Sequence, residues 1–528
     1  MTLDNVRRLP TASLDGAGTD DHQQDAAVLL QASQQKQCQE ELSPLILLPQ
    51  VNSGDNINNV NVEIIPHQNK KVNVEQKPSL LPQFAGAMTA ALVQLGLGAV
   101  VAIAGVTIPR LTDPNSDDFI LKTHQVALYV SLVGLGAMAG CFVSSVVQVS
   151  LGQRRTMLGF LPAELASWLL MSFTQSVELL LLARFLLGFF VGAMGAAAYT
   201  YAVEISHKSN RGGLVSTVDL VRQIGMLLTY CLGYLPLTWR EMALILGCLS
   251  TIIPFIFLLF LPDSPRYLAF RQETDKARKS LQTFRGKNFD VDPELQDILE
   301  QLKNAGSKGT VKDQVYQMVK PENLKIFILL LFINFLGQFT GNFVVINFTV
   351  NIFQSANTNI DPYVCSIIIG VVRVLGTVVY LCIIDRLGRK VVLISSFLVL
   401  AVSGAIFGGY FFLQHQGTDI SNLGWLPLTC LVIFSFFTCI GHPVVTIIRG
   451  ELLPTSFRSL GFNLLTATLF LGVFAVSQTY PLLVLSIGVH GAFWLYSCCS
   501  IVVVTIIGIF VPETKGKSLE EIGMERKK

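Results

Sequence analysis

Three charged side chains stand inside long apolar stretches of the chain, where charge is rare. Asp219 and Arg222 interrupt one such stretch, and Arg373 interrupts another. An ionised side chain at the centre of a bilayer costs about 2.5–3.5 kcal/mol on insertion scales, so it normally faces a water-filled cavity or a partner of opposite charge. If the apolar stretches are transmembrane helices, these residues therefore indicate a polar interior.

Acidic and basic residues also recur at matched spacing in the two halves of the sequence. Glu204 precedes Arg211 by the same interval that separates Glu451 from Arg458. Arginine can form forked hydrogen bonds to carboxylates of neighbouring helices. Two interpretations are open: the charges form a network that joins helices, or they anchor helix ends at the membrane interface.

The composition excludes several classes of protein. Of 528 residues, 51% are hydrophobic and 14% are charged, whereas soluble proteins carry about 25% charged residues. The formal net charge of +2 argues against a nucleic-acid partner, which would require a strong basic excess. The ten cysteines show no metal-ligand spacing, and no nucleotide motif is present, so we expect neither a cofactor nor an enzyme.

About twelve apolar segments follow Phe84, and each has the roughly twenty residues needed to cross about 30 Å of hydrocarbon. Only helices satisfy their own backbone in lipid at this length, so the prediction is an all-α transmembrane fold. Loops 348–362, 414–426 and 483–486 contain no Lys or Arg, whereas the alternate loops are basic. By the positive-inside rule, both termini are predicted to be cytosolic.

The predicted organisation has five parts. They are a disordered cytosolic tail at 1–83, a six-helix bundle at 84–261, a cytosolic helical linker at 262–323, a second six-helix bundle at 324–511 and a cytosolic tail at 512–528. The first tail is rich in Gln, Asn, Asp and Ser, which is typical of disorder. Three short motifs recur in the same order in both halves, which indicates parallel structural repeats.

Several motifs are more specific than this general pattern. They are RFLLGFFVG from Arg184, PDSPRYL from Pro262, DRLGRK from Asp385, HGAFWL from His490 and VPETKGKSLEEI from Val511. Together they resemble the sugar-porter family of the major facilitator superfamily, and within it the facilitated trehalose transporters of insects. The resemblance covers nearly everything after Leu81, and it implies two bundles around a central cavity that opens alternately to either side.

The resemblance also implies an ion-pair network at the cytosolic face, which holds the outward-facing state together. The residues that match it here are Glu204, Arg211, Arg154, Asp385, Arg389, Glu451 and Arg458. Val149 and Gln153 stand where the family carries an Asp and an Arg. We therefore expect a weaker network in the first half.

The substrate pocket departs further from the family pattern. One of two expected glutamines is kept as Gln338, while Asp219, Arg373 and Thr446 replace an expected Gln, Asn and Trp. Amides suit sugars because each offers donors and an acceptor to hydroxyl groups. The residues expected to contact the solute are Gln338, Asn342, Asn347, Asp219, Arg373 and Thr446.

The two replacement charges could interact with each other. As the resemblance implies, the fifth and eighth helices meet where the bundles face each other. Our hypothesis is that Asp219 and Arg373 pair across the cavity, with Arg222 nearby. The alternative is that each charge is separately hydrated in the cavity.

The sequence thus predicts a monomer that carries trehalose or a hexose across the plasma membrane by facilitated diffusion. The predicted first span lacks Asp and Glu, which favours uniport, although Asp219 keeps proton coupling open. The sequence is also compatible with a carrier of a non-sugar or charged solute, and with a non-transporting sensor that keeps the sugar-porter shape.

Overall fold

The structure is a computed structural model of the 528-residue chain. It describes residues 78–114, 118–305, 311–356, 358, 360–384, 387–454 and 457–513. Within these ranges the chain forms helices and turns and no β-strand, in agreement with the all-α prediction. Nearly all of the predicted tails at 1–83 and 512–528 lies outside the described residues, as does Asp385.

The first half contains six long helices of 21 to 32 residues. They are α1 (Leu80–Leu111), α2 (Thr123–Leu151), α3 (Gln153–Phe173), α4 (Val177–Ile205), α5 (Arg211–Tyr234) and α6 (Trp239–Phe260). Each spans at least about 30 Å, because an α-helix rises about 1.5 Å per residue. Helix α1 begins at Leu80, so the predicted tail boundary at residue 83 falls inside it.

Four short helices follow in the predicted linker. They are α7 (Pro265–Phe270), α8 (Thr274–Arg285), α9 (Asp292–Ala305) and α10 (Val311–Val319). The buried Arg285 fastens α8 to its surroundings, since it donates to the Ile205 carbonyl at 2.7 Å and pairs with Glu294 at 2.6 Å. We call the side of the molecule that carries α7–α10 the linker face.

The second half begins with an interrupted helix and continues with four long ones. They are α11 (Pro321–Leu336), a 3-10 turn (Gly337–Thr340), α12 (Asn342–Asn347), α13 (Thr349–Ser355), α14 (Pro362–Ile383), α15 (Arg389–His415), α16 (Leu426–Leu452) and α17 (Arg458–Phe510). Gly488 has non-helical angles, with φ 72° and ψ 172°, and divides α17 into two spans.

Ten helical segments of the described chain are long and apolar enough to cross a membrane. Helix α5 is absent from that set because it carries Arg211, Asp219, Arg222 and Gln223, and α17 counts once although Gly488 divides it. With both corrections the described helices make twelve crossings, as the sequence predicts.

The seventh crossing is broken at Gly341. This residue has φ +92°, in the left-handed region, and separates the 3-10 turn from α12. Glycine adopts this conformation without the clash that a Cβ would cause. Irregular backbone is tolerated at membrane depth only where it is buried in protein or lines a cavity, so the break indicates a polar interior next to Gln338 and Asn342.

Helices α2 and α17 bring the two bundles into contact on the side away from the linker face. A Cβ on Gly134 of α2 would lie 2.9 Å from the backbone nitrogen of Phe474, so the two helices touch through their main chains. Three residues earlier, Ser131 donates to the Gln478 side-chain oxygen at 2.6 Å. Both contacts lie in the half of α2 that is remote from its end at the linker face.

Helix α5 makes the second contact between the bundles on the same side. The Tyr230 hydroxyl donates to the Ile346 carbonyl of α12 at 3.1 Å. One turn earlier, Leu227 packs against Gly370 of α14. Since Tyr230 stands near the end of α5 that is remote from the linker face, the two bundles are closed together on the opposite face.

Replacing Gly341 with Ala tests the left-handed turn. A side chain there costs about 1–2 kcal/mol, and its Cβ would also lie 3.0 Å from Cδ2 of Tyr496. We expect the melting temperature of the full-length protein in detergent to fall, as measured by size-exclusion chromatography after heating. Gly409→Ala is the control, because no neighbouring atom lies within 4 Å of a Cβ built there; equal losses in both variants would contradict the turn.

Candidate functional site

A cavity of about 1240 Å³ lies between the two bundles. Its inner end reaches Asn342 and Arg373, and its outer end reaches Phe270 and Leu302 of the linker helices. On the opposite face the bundles are in contact through Gly134 and Phe474. The cavity therefore runs from the middle of the molecule to the linker face.

All six residues predicted to contact a solute lie on the wall of this cavity. They are Gln338, Asn342, Asn347, Asp219, Arg373 and Thr446. They come from α5, the broken seventh crossing, α14 and α16, so both bundles contribute. The structure brings these side chains around one volume, and their contact with a solute stays a prediction.

Arg373 connects the two bundles at the inner end of the cavity. It is 3% exposed. Its Nε donates to Gln223 of α5 at 3.2 Å, and its Nη1 donates to Asn342 of α12 at 3.1 Å. Among the described residues no carboxylate lies within 4.0 Å of this guanidinium. Its charge is therefore stabilised by hydrogen bonds to neutral side-chain oxygens and not by an ion pair.

The predicted pair between Asp219 and Arg373 is wrong in this structure. Asp219 instead accepts hydrogen bonds from Arg222 at 2.7 Å and from the Tyr199 hydroxyl at 2.5 Å. Arg222 is three residues from Asp219 on the same helix, where side chains are neighbours. Gln223 rather than Asp219 lies within reach of Arg373. The expectation that Arg222 stands near Asp219 was correct.

In the broken seventh crossing, the side-chain amides of Gln338 and Asn347 each donate a hydrogen bond to a backbone carbonyl one turn earlier. Gln338 donates to the Asn334 carbonyl at 3.1 Å, and Asn347 donates to the Phe343 carbonyl at 2.8 Å. Their side-chain oxygens make no hydrogen bond to the described residues. These two oxygens are therefore acceptors that hydroxyl groups in the cavity can use.

One cavity-lining residue, Arg449 of α16, was missed by the sequence analysis. It is 3% exposed, donates through Nη2 to Thr446 at 2.7 Å and stands over the Phe462 ring at 5.2 Å. Its Nε and Nη1 are buried without a hydrogen-bond partner. The sequence signal was weak, because Arg449 lies in the last turn of its helix, where a basic residue is common. Gln223 gave no comparable signal.

In the first half, the residues of the predicted ion-pair network do not pair with one another. Glu204 accepts hydrogen bonds from Gln153 at 3.2 Å and from the Ser264 hydroxyl. Arg211 reaches the Ser206 carbonyl at 3.5 Å rather than Glu204. Arg154 instead pairs with Asp263 at 3.4 Å, next to α7.

The second half keeps one pair of the predicted network. Arg389 lies 3.6 Å from Glu451, whereas Arg458 donates to the Leu453 carbonyl at 3.0 Å. Across the described part of the chain, no ion pair joins the two bundles. A network that closes the linker face should be broken when that face is open, so this arrangement agrees with the open cavity.

The sequence and the fold are similar to those of known proteins. Residues 72–525 match the family model described as "Sugar (and other) transporter". The chain is 34% identical to a facilitated trehalose transporter Tret1-2 homolog of Drosophila sechellia over 84% of its own length and 90% of that protein's. It is also 34% identical to facilitated trehalose transporter Tret1 of Culex quinquefasciatus, with 86% and 87% covered.

Solved structures resemble the fold. The inward-open xylose transporter XylE from E. coli gives a TM-score of 0.69 at 21% identity, over 84% of this chain and 99% of that chain. XylE bound to 6-bromo-6-deoxy-D-glucose gives 0.68 at 22% identity, over 84% and 99%. The helices described above therefore form the major facilitator fold.

Neutralising the charges at the inner end of the cavity tests the observed pairing. We expect Asp219→Asn and Arg222→Gln together to lower the melting temperature by less than the sum of the single changes, because residues in contact couple by about 0.5–3 kcal/mol. Asp219→Asn combined with Arg373→Gln should be nearly additive. If only that second combination departs from additivity, the Asp219–Arg222 pair is refuted.

Proposed function

Since the chain belongs to the sugar transporter family, we propose that it carries a small sugar across a membrane by alternating access of one central cavity. It is a multi-pass membrane transporter and not an enzyme. The observation that carries the proposal is the cavity between the bundles, which reaches the linker face at Phe270 and ends at mid-molecule beside Arg373. A solute that enters from one face is thereby brought to the level where the other face is closed.

The proposed substrate is trehalose or a hexose, taken down its gradient without coupling to protons. The relatives at 34% identity are named facilitated trehalose transporters, and Gln338 and Asn347 offer amide oxygens to hydroxyl groups. A net hydrogen bond stabilises a complex by about 1 kcal/mol, so several are needed for recognition. Helix α1 contains neither Asp nor Glu, which supports uniport.

The proposed setting is the plasma membrane, with both termini and the linker face in the cytosol. The protein is proposed to act as a monomer and to have no nucleic-acid partner. The basic loops support this orientation through the positive-inside rule. In this orientation the structure corresponds to the inward-facing state. Six residues of the predicted network would then exchange partners to close the linker face in the outward-facing state, and Asp385 would join them there. The six are Glu204, Arg211, Arg154, Arg389, Glu451 and Arg458.

Uptake of radiolabelled trehalose and glucose into oocytes that express the full chain tests the function. Gln338→Leu should raise the half-saturating sugar concentration about fivefold, because it removes one hydrogen bond of about 1 kcal/mol. Gln175→Leu is the matched control, since Gln175 is exposed outside the cavity. Absence of uptake by the wild type, despite its presence at the surface, would refute sugar transport.

Labelling of introduced cysteines tests alternating access. Ser145 of α2 is exposed on the cavity wall, whereas Ser131 is buried where α2 meets α17. We expect an impermeant maleimide applied at the linker face to label Ser145→Cys and to spare Ser131→Cys, both in a Cys141→Ser background. Sugar present only on the opposite face should slow the labelling of Ser145→Cys. Equal labelling at both positions would contradict the closed face.

A further inference from the structure

The cavity wall carries an excess of positive charge. The described residues that line it include five arginines (Arg211, Arg222, Arg266, Arg373 and Arg449) and the carboxylates of Glu204 and Asp219. The formal net charge of the whole chain is only +2, so the excess is local to the cavity. Low-dielectric walls focus such a field and raise the local concentration of anions.

Two of these arginines are buried and have no charged partner. Asp219 balances Arg222 at 2.7 Å, but Arg373 and Arg449 are each 3% exposed and form no ion pair with a described residue. Burying an unpaired charge is expensive unless hydrogen bonds or a counter-ion compensate it. Arg373 donates two hydrogen bonds to neutral side chains, whereas Arg449 donates one.

Arg449 lines the cavity and has two donors without a partner. Its Nε and Nη1 are buried without a partner, while its Nη2 is fixed by Thr446 and its guanidinium stands over the Phe462 ring. These contacts hold the planar group in place without neutralising it. Either of these two unused donors can form a charge-assisted hydrogen bond to an oxygen of a carboxylate or phosphate group.

The spacing between Arg449 and the amides suits a solute of monosaccharide size. Thr340, between Gln338 and Asn342 in the broken crossing, lies 3.4 Å from His442 of α16, so the amides stand near the level of His442. The Arg449 guanidinium bonds to Thr446, which is four residues further along α16, an axial distance of about 6 Å.

We propose that Arg449 is the anion-binding residue of the transport cavity, and that the preferred solute is a polyhydroxylated compound with one carboxylate or phosphate group. The hydroxyl groups of the solute contact Gln338 and Asn342, and the anionic group accepts a hydrogen bond from Nε or Nη1 of Arg449. Arg373 extends the positive potential to the inner end of the cavity. This inference rests on the proposed function, because it assigns a substrate class to the same cavity.

Ligand-induced thermal stabilisation of the purified full-length protein tests the binding site independently of transport. The probes are D-glucose, D-glucuronate and D-glucose 6-phosphate at constant ionic strength, so that the last two distinguish a carboxylate from a phosphate. We expect at least one anionic probe to half-saturate at a concentration about tenfold below that of glucose, since a charge-assisted hydrogen bond is roughly twice as strong as a neutral one.

Variants of Arg449 identify the group responsible. Arg449→Gln should abolish the preference for the anionic probe over glucose, while Arg449→Lys should keep part of that preference. Arg278→Gln is the control, because it removes an exposed arginine of α8 that lies outside the cavity wall. The proposal is overturned if the wild type shows no anion preference, or if that preference survives in Arg449→Gln.

Uptake into proteoliposomes separates this proposal from the general function. Uptake of labelled glucose without uptake of either anionic probe would leave sugar transport intact and overturn the anionic solute. Arg449→Gln is expected to reduce uptake of the preferred anion about tenfold more than uptake of glucose. An equal loss for glucose and the anion would instead identify Arg449 as a gating residue, which also overturns the proposal.

Discussion

The interior of this protein depends on one constraint, which is that hydrocarbon cannot solvate a charge. Asp219, Arg222, Arg373 and Arg449 lie in helices that cross the membrane, and all four line the single volume between the bundles that reaches the linker face. A central charge exposed to lipid would cost several kcal/mol. The apolar helices therefore pack so that these four ionic side chains converge, and the solute path is the result of that convergence.

Much of the fold follows from the sequence because membrane insertion depends chiefly on segment length and hydropathy. The number of crossings, the short helices between the halves and six polar residues of the cavity wall were predictable, whereas Gln223 and Arg449 were not. The pairing of charges was not, because Asp219 can reach either Arg222 along its own helix or a residue across the cavity. The left-handed turn at Gly341 and the role of Arg449 also depend on three-dimensional contacts that no local pattern records.

The opposite face and the linker face differ in the contacts that their residues make. On the opposite face the backbones of α2 and α17 touch at Gly134 and Phe474, so that closure depends on small residues and van der Waals packing. At the linker face, Arg154 of the first bundle pairs with Asp263 at the start of the linker, and Arg389 pairs with Glu451 within the second bundle. Neither pair joins the two bundles, so both pairs can persist while the bundles move apart.

The hydrogen bonds of Arg373 have an energetic consequence for the movement of the bundles. Arg373 belongs to the second bundle, and its bond to Gln223 is a bond to the first. A solute that engages this guanidinium competes with a joint between the two halves of the molecule. By thermodynamic reciprocity, any solute that loosens the joint must bind more tightly once the joint is already loose. Arg373 would thus contact the solute in one state and join the two bundles in the other.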